Sequence, residues 1–329
     1  MAWWRMVLFL GVFGGLAAGL HVYLYRRLVR DPLRSARARR VGRWVFTGLG
    51  LLLLTGVAIN RFVPRHLGEV IGYAAFGWMG LVTLLVPLLW AVDMVRIPLA
   101  VRRRARGEGP VDPTRRLAIA RGAAALTTLT AGGAAAVAVD TALAGPRVEH
   151  VTVPIAGLDP ALDGLVVVQL SDIHVGPTLG RPFVEGLVRT VNGLGADLVA
   201  ITGDLVDGTV GRLGDHTAPL AHLRSTHGTF FCTGNHEYYS GVDAWCAELQ
   251  RLGVTVLRNR HVGLTHKGAA LDVVGVDDWR ADHDMARACQ GRDAARFGLC
   301  LAHQPKSVAA AAAHGLDLML CGHTHGGQI

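Results

Sequence analysis

Cysteine is sparse in this chain, and acidic residues are sparse in its first half. The 329 residues include five cysteines: Cys232, Cys246, Cys289, Cys300 and Cys321. An odd count leaves at least one unpaired, and no disulfide framework is implied. Three of them sit in apolar, strand-like runs where cysteine acts as a small hydrophobe, and the one pairing left open is Cys246–Cys289. Residues 1–150 carry only 7 Asp+Glu against 20 Lys+Arg, a formal +13. The acidic residues nearest to apolar runs there, Glu69 and Asp93, lie close to segment ends, so a buried charged pathway of the kind a transporter uses is missing. Residues 151–329 reverse the balance, with 13 Lys+Arg against 18 Asp+Glu, a formal −5. The net +8 therefore belongs to the first half, and the second half has no basic footprint for nucleic acid.

Apolar residues are abundant: 51% of the chain is hydrophobic and the mean hydropathy is +0.34. Four apolar segments precede residue 145, at 6–25, 44–60, 71–92 and 117–139. A helix needs about 20 apolar residues to cross the hydrocarbon core, and the set predicts a transmembrane region of about four helices over 1–145. The fourth segment is Ala/Gly-rich and contains Arg121; a soluble helical bundle is the competing reading of the set. Trp3, Trp4, Trp44, Trp78 and Trp90 flank the segments as interfacial residues do. Two Arg-rich loops, 26–43 and 96–116, contrast with 61–70, which holds only Arg61 and Arg65. The positive-inside rule places both Arg-rich loops in the cytoplasm. The expected location is thus a multi-pass cell-membrane protein, in contact with membrane lipids, whose 146–329 domain is extracytoplasmic. Thr114-Arg115-Arg116-Leu117 ahead of the Ala-rich segment reads either as a plain basic flank or as an embedded twin-arginine export signal; both put the domain on the same side.

From 146 on, strands and helices alternate, which predicts a layered α/β domain with much parallel pairing. A leading strand is expected at 148–153. The run LVVVQL from Leu165 reads as a strand buried on both faces; it breaks into Ser171-Asp172-Ile173-His174, where a carboxylate and an imidazole two residues apart project the same way. Helices are expected at 181–194, 216–225, 243–252, 282–290 and 306–313, and further strands at 254–258, 262–266 and 271–276. Five strand ends carry donor chemistry: Asp172/His174, Asp204, Asn235/His236, His303 and His323/His325. In such sheets ligands bind beyond the carboxyl ends of the strands.

The donors are nitrogen and oxygen with no sulfur, a set suited to Mn, Fe, Zn or Co. They exceed what one ion needs, so two divalent metal ions are expected, with Asp204, alone at its strand end, as the natural shared carboxylate. A metal pair clamps an in-line displacement at phosphorus and makes a bridging hydroxide available near neutral pH. Gly203, Gly234, Gly322, Gly326 and Gly327 allow tight turns and close approach of a phosphate.

The ordered series SDIH, GDLVD, GNHE, AHQP and GHTHGGQ resembles the calcineurin-like metallophosphoesterase family, in particular its bacterial membrane-anchored branch, over about 151–329. The resemblance implies a β-sandwich flanked by helices, a first metal on Asp172, His174, Asp204 and His325, and a second on Asp204, Asn235, His303 and His323. It makes His236 the catalytic group that protonates the leaving oxygen or stabilises phosphate charge. It implies a phosphoester substrate; the membrane anchor points to lipid-linked or cell-envelope phosphodiesters, phosphomonoesters or pyrophosphates. Asp207 reads as a turn or capping residue rather than a ligand, and Glu237 as a partner behind the ligands. Asp277 and Asp278 read either as facing the site or as turn residues. Gly208 stands where protein phosphatases of the superfamily carry an arginine, which disfavours that activity. Family members continue with further strands beyond the last motif, so the domain is expected to be truncated at Ile329. A non-catalytic membrane sensor or scaffold is the alternative, against which the complete donor set argues.

Overall fold

The computed structural model describes residues 3–59, 63, 65–109, 111–143, 145–176 and 178–325. Asn60 and Arg61, and the glycines Gly326 and Gly327, lie outside the described residues. The chain divides into two compact units, Met1–Ala144 and Gly145–Ile329.

The first unit is helical: α1 (Trp3–Tyr25), a π-helical turn (Arg26–Arg30), α2 (Ala36–Ile59), α3 (Arg65–Ala105) and α4 (Pro113–Leu143). The Arg-rich stretches expected as loops are largely helical, because arginine and alanine favour helix and extend α2 and α3 past their apolar parts. Leu24, Val82, Leu85, Leu89 and Ala131 form the buried centre of this unit. Polar contacts pin α1 and the π-helical turn to α3: Trp78 Nε1 donates to His21 Nε2 at 2.9 Å, Tyr23 Oη donates to Asp93 Oδ2 at 2.8 Å, and Arg27 pairs with Asp93. Of the four expected spans, two meet the length and hydropathy test among the described residues, Val70–Ala105 (mean hydropathy 1.9) and Pro113–Thr141 (1.5).

The second unit has the expected layered α/β architecture, resolved into two four-stranded sheets packed face to face between helices. The first sheet is fully parallel, in the order β1 (Val167–Leu170), β2 (Leu198–Ile201), β3 (Thr229–Phe231), β4 (Thr255–Val256). The second runs β5 (Arg260–His266), β6 (Ala269–Gly275), β7 (Phe297–Leu301), β8 (Leu318–Leu320), antiparallel between β5 and β6 and parallel after that. Lys267 and Gly268 both have positive φ and close the β5–β6 hairpin, as a two-residue turn between twisted strands requires.

Side-chain alternation assigns the layers. Leu198 and Ala200 of β2, with Phe230, Cys232, Val273, Leu299 and Leu301, fill the space between the sheets. Val199 and Ile201 point the other way, onto α5 (Arg181–Asn192), α6 (Val210–Thr217) and α8 (Val242–Arg251). On the far side, Val274 and Cys300 meet α9 (Met285–Ala288) and α10 (Val308–Ala313). All five cysteines are free, so the Cys246–Cys289 pairing is not made.

Three local expectations fail. Residues 148–153 form no strand: Val148, Val151 and Val153 stay exposed, and without burial a valine-rich run has nothing to pair for. The helix expected at 216–225 is instead split: α6 ends at Thr217 and the chain goes on as a 3-10 turn, Ala218–His222, because Pro219 has no N–H to continue the α-helical ladder. The helix expected at 282–290 shrinks to one turn, α9.

Candidate metal centre

The carboxyl ends of β1, β2, β3, β7 and β8 converge, and the turns beyond them carry every donor singled out in the sequence. Those turns are sharp. Asp172 (φ 53°), His174 (φ 50°), Asp204 (φ 51°), His323 (φ 71°) and His325 (φ 48°) all sit in the left-handed region. Such backbone costs about 1–3 kcal/mol per residue in a non-glycine and clusters at functional sites. The chain tolerates it because neighbouring loops bond it in place: Asp172 N donates to Gly203 O (3.1 Å), His174 N to Asp204 O (3.1 Å) and Val175 N to Leu205 O (2.8 Å).

Two glycines make the approach possible. A Cβ on Gly234 would lie 2.2 Å from Asp204 Oδ1, and one on Gly322 would lie 1.9 Å from Ser171 Oγ and 2.2 Å from Asp172 Oδ2. Either would drive a donor loop out of position.

Among the described residues, donor atoms gather in three groups, each within 4.8 Å: Asp172, His174 and His325; Asp204, His303 and His323; His174, Asp207 and His236. In the first, His325 Nε2 lies 3.4 Å from Asp172 Oδ1 and 3.3 Å from His174 Nε2. In the second, His303 Nε2 lies 3.1 Å from Asp204 Oδ2 and 3.2 Å from His323 Nδ1. Asp204 Oδ2 is also 3.9 Å from His174 Nε2, so this one buried oxygen faces both groups.

The residues present suit divalent cations. His303 Nδ1 donates to the Thr202 carbonyl at 2.8 Å, which turns Nε2 toward Asp204. His174 and His236 both donate from Nδ1 to Asp207 Oδ1, at 3.0 and 2.6 Å, and present Nε2 inward. Anchoring one ring nitrogen on oxygen and leaving the other for an ion is the usual arrangement of metal-binding histidines. Asn235, at the start of α7 (Asn235–Ser240), has a buried Oδ1 with no hydrogen-bond partner. A buried carbonyl oxygen without a partner costs free energy that a cation would remove.

Electrostatics keep the carboxylates charged. Burial opposes ionisation of Asp204, but the His303 hydrogen bond, the His236 N–H and the adjoining imidazoles outweigh it and hold its carboxyl below the usual range. For Asp207 burial is likewise outweighed, by His174 first and then His236. The His174 imidazole is pushed up in turn: burial disfavours its charge, but Asp207, Asp204 and Asp172 favour it more.

Asp207 and Glu237 are the residues whose part the sequence underrated or left vague. Asp207 is the shared acceptor of two imidazoles, and Trp245, fully buried, holds its loop by donating from Nε1 to Gly208 O at 2.8 Å. Its place three residues after Asp204, on the same turn, was the only available signal. Glu237 is completely buried and accepts from Gly234 N (2.7 Å), Asp204 N (3.0 Å) and Leu205 N (2.8 Å), tying the second and third donor loops together. Asp277 and Asp278 do not enter the donor groups. Asp277 takes Arg258 and Thr233, and Asp278 takes Gln304, from behind the donor loops.

A model of calcineurin-like phosphoesterases matches residues 165–327. A bovine (Bos taurus) transmembrane protein with metallophosphoesterase domain is 39% identical over 244 residues, 69% of this chain and 54% of the relative. An uncharacterized metallophosphoesterase of Helicobacter pylori strain J99 is 38% identical over 194 residues, 57% of this chain and 50% of the relative. Another of that description from Aquifex aeolicus is 32% identical over 190 residues, 56% of this chain and 71% of the relative. The chain spans about half the length of the first curated relatives it matches.

Proposed function

Because the chain belongs to the calcineurin-like phosphoesterase family, we propose that it is a membrane-anchored, dimetal-dependent phosphoesterase acting on phosphodiester, phosphomonoester or pyrophosphate bonds. The observation that carries the reading is Asp204 Oδ2, a single ionised oxygen facing two separate groups of nitrogen and oxygen donors. Asp172, His174, Asp204 and His325 would hold one ion; Asp204, Asn235, His303 and His323 would hold the other. When bound, such a pair supplies Lewis acidity and an activated water for in-line attack at phosphorus.

The chain's own residues supply the rest. His236 keeps Nδ1 on Asp207 and turns Nε2 to within 4.0 Å of Asp204 Oδ2, at the mouth of the site, where it can pass a proton to a leaving oxygen. Asp207 orients His236 and His174 together, so it couples the proton donor to the first ion's shell. Asp207→Asn is expected to lower kcat by about 10- to 100-fold, the usual scale for a partner behind a ligand, with little change in metal content. A variant as active as the parent would remove Asp207 from the mechanism.

Two long apolar helices and the name of the bovine relative support membrane attachment. The arginine distribution supports an extracytoplasmic catalytic unit, and attachment of the chain to a membrane favours lipid-linked or envelope phosphoesters as substrate. The test uses the full chain in detergent with Mn²⁺ and bis-p-nitrophenyl phosphate. Hydrolysis that a chelator abolishes and metal restores is the expected result; a purified protein that binds no metal by elemental analysis would favour a scaffold instead. A reporter joined after residue 329 should be active outside the cytoplasm.

A further inference from the structure

Beside His236 the molecule exposes a rim that the hydrolytic site does not use. Tyr239 lies one turn along α7 from His236, its ring 5.4 Å from the imidazole, yet 68% of its surface is open to solvent. Arg280 Nη1 reaches to 3.5 Å from the Tyr239 hydroxyl. Trp279 is 42% exposed, and Lys306 Nζ sits over its ring, 4.7 Å from the centroid.

The base of this rim is as rigid as its crown is open. Asp277 and Asp278, immediately before Trp279, are each 2% exposed. Asp278 N donates to Thr233 Oγ1 at 3.1 Å, and Asp278 Oδ2 accepts from Gln304 Nε2 at 2.7 Å. Asp277 N donates to Asn259 Oδ1 at 3.0 Å, and its carboxylate takes Arg258 Nε. Thr233 lies two residues before Asn235 and Gln304 directly follows His303, so the loop is tied to the donor loops themselves. Anchoring of this kind presets Trp279 and Arg280 at a fixed position beside the centre, which is how binding groups avoid an ordering cost when ligand arrives.

The charges say what the rim fits. Neither Arg280 nor Lys306 makes an ion pair among the described residues, although the unit as a whole is formally negative. Two cations without ion-pair partners, one reaching the hydroxyl of the open Tyr239 ring and the other seated on the half-exposed Trp279 ring, match a substrate with a further anionic group next to an organic moiety.

We propose that Tyr239, Trp279, Arg280 and Lys306 form a second binding subsite, which selects phosphoesters or organic pyrophosphates carrying an additional phosphate beyond the bond that is cleaved. This rests on the phosphoesterase reading of the neighbouring centre and narrows its substrate class.

The probes are thymidine 5′-(p-nitrophenyl phosphate) with and without a 3′-phosphate, compared on the full chain in detergent and on the double variant Arg280→Gln/Lys306→Gln. The parent is expected to favour the 3′-phosphorylated probe by about 10-fold in kcat/KM, expressed in KM, with the ratio falling toward one in the variant. A parent with no preference, or a variant that keeps it, would overturn the subsite. Calorimetry with thymidine 3′,5′-bisphosphate against thymidine 5′-monophosphate decides the matter without turnover. The parent should bind the bisphosphate about 5-fold or more tightly and the variant should not; equal binding in the parent overturns the subsite. Absence of chelator-sensitive hydrolysis of either probe would count against the phosphoesterase reading alone, because the binding comparison still decides the subsite.

Discussion

Replacing Asp204 with alanine is expected to lower kcat/KM for bis-p-nitrophenyl phosphate by about 10³-fold or more and to reduce bound metal from two ions to one or fewer. The size follows from the position of one atom. Asp204 Oδ2 faces His303 at 3.1 Å and His174 at 3.9 Å, so both donor groups lose the same oxygen at once. Metal-supplied charge stabilisation is worth several kcal/mol in the transition state, and each 1.36 kcal/mol is about a factor of ten. The side chain also accepts from His236 N at 2.9 Å, so its loss loosens the start of α7. Elemental analysis beside turnover separates this from simple unfolding, and Asp204→Asn, which keeps the shape and one oxygen, should retain the fold while losing most activity. Equal turnover in parent and alanine variant would sink the dimetal assignment.

Glu237→Ala should be strongly destabilising to the second unit. Three backbone N–H groups, of Gly234, Asp204 and Leu205, end on this one fully buried carboxylate. Each buried donor left without a partner costs about 1–3 kcal/mol, so the three together cost about 3–9 kcal/mol, beyond the range of ordinary substitutions. For a unit of this size that corresponds to a fall in apparent melting temperature of about 10 °C or more. Glu237 is also costly to ionise: burial raises its carboxyl pKa and the charge of Asp204 raises it further, while the same N–H groups pull it back. Thermal melting of the full chain, with hydrogen exchange at Gly234 and Leu205, gives the measurement. Glu237→Gln keeps an acceptor oxygen and should fall between parent and alanine variant. An alanine variant that melts with the parent would show that these amides find other partners.

The donor types were legible in the sequence because each motif follows a short apolar run, and an apolar run that stops at Asp, Asn or His has few structural uses. The layered α/β class was legible from the alternation of strand and helix patterns for the same local reason. Element limits were less so: at Pro219 the α-helical ladder gives way to a 3-10 turn that composition alone does not show, and the 148–153 valines form no strand because burial, not propensity, makes one.

What the sequence by itself determined, then, is the inventory: which nitrogen and oxygen donors stand at which strand ends, and how far apart along the chain. Only the tertiary structure decided which of them meet. His174 and His325 are 151 positions apart and 3.3 Å apart in space, a contact that no periodicity encodes. The shared roles of Asp204, Asp207 and Glu237 arise the same way. Each depends on where a single oxygen lies relative to two or three loops, and that is set by how the two sheets pack and where the left-handed turns aim, not by the residues on either side.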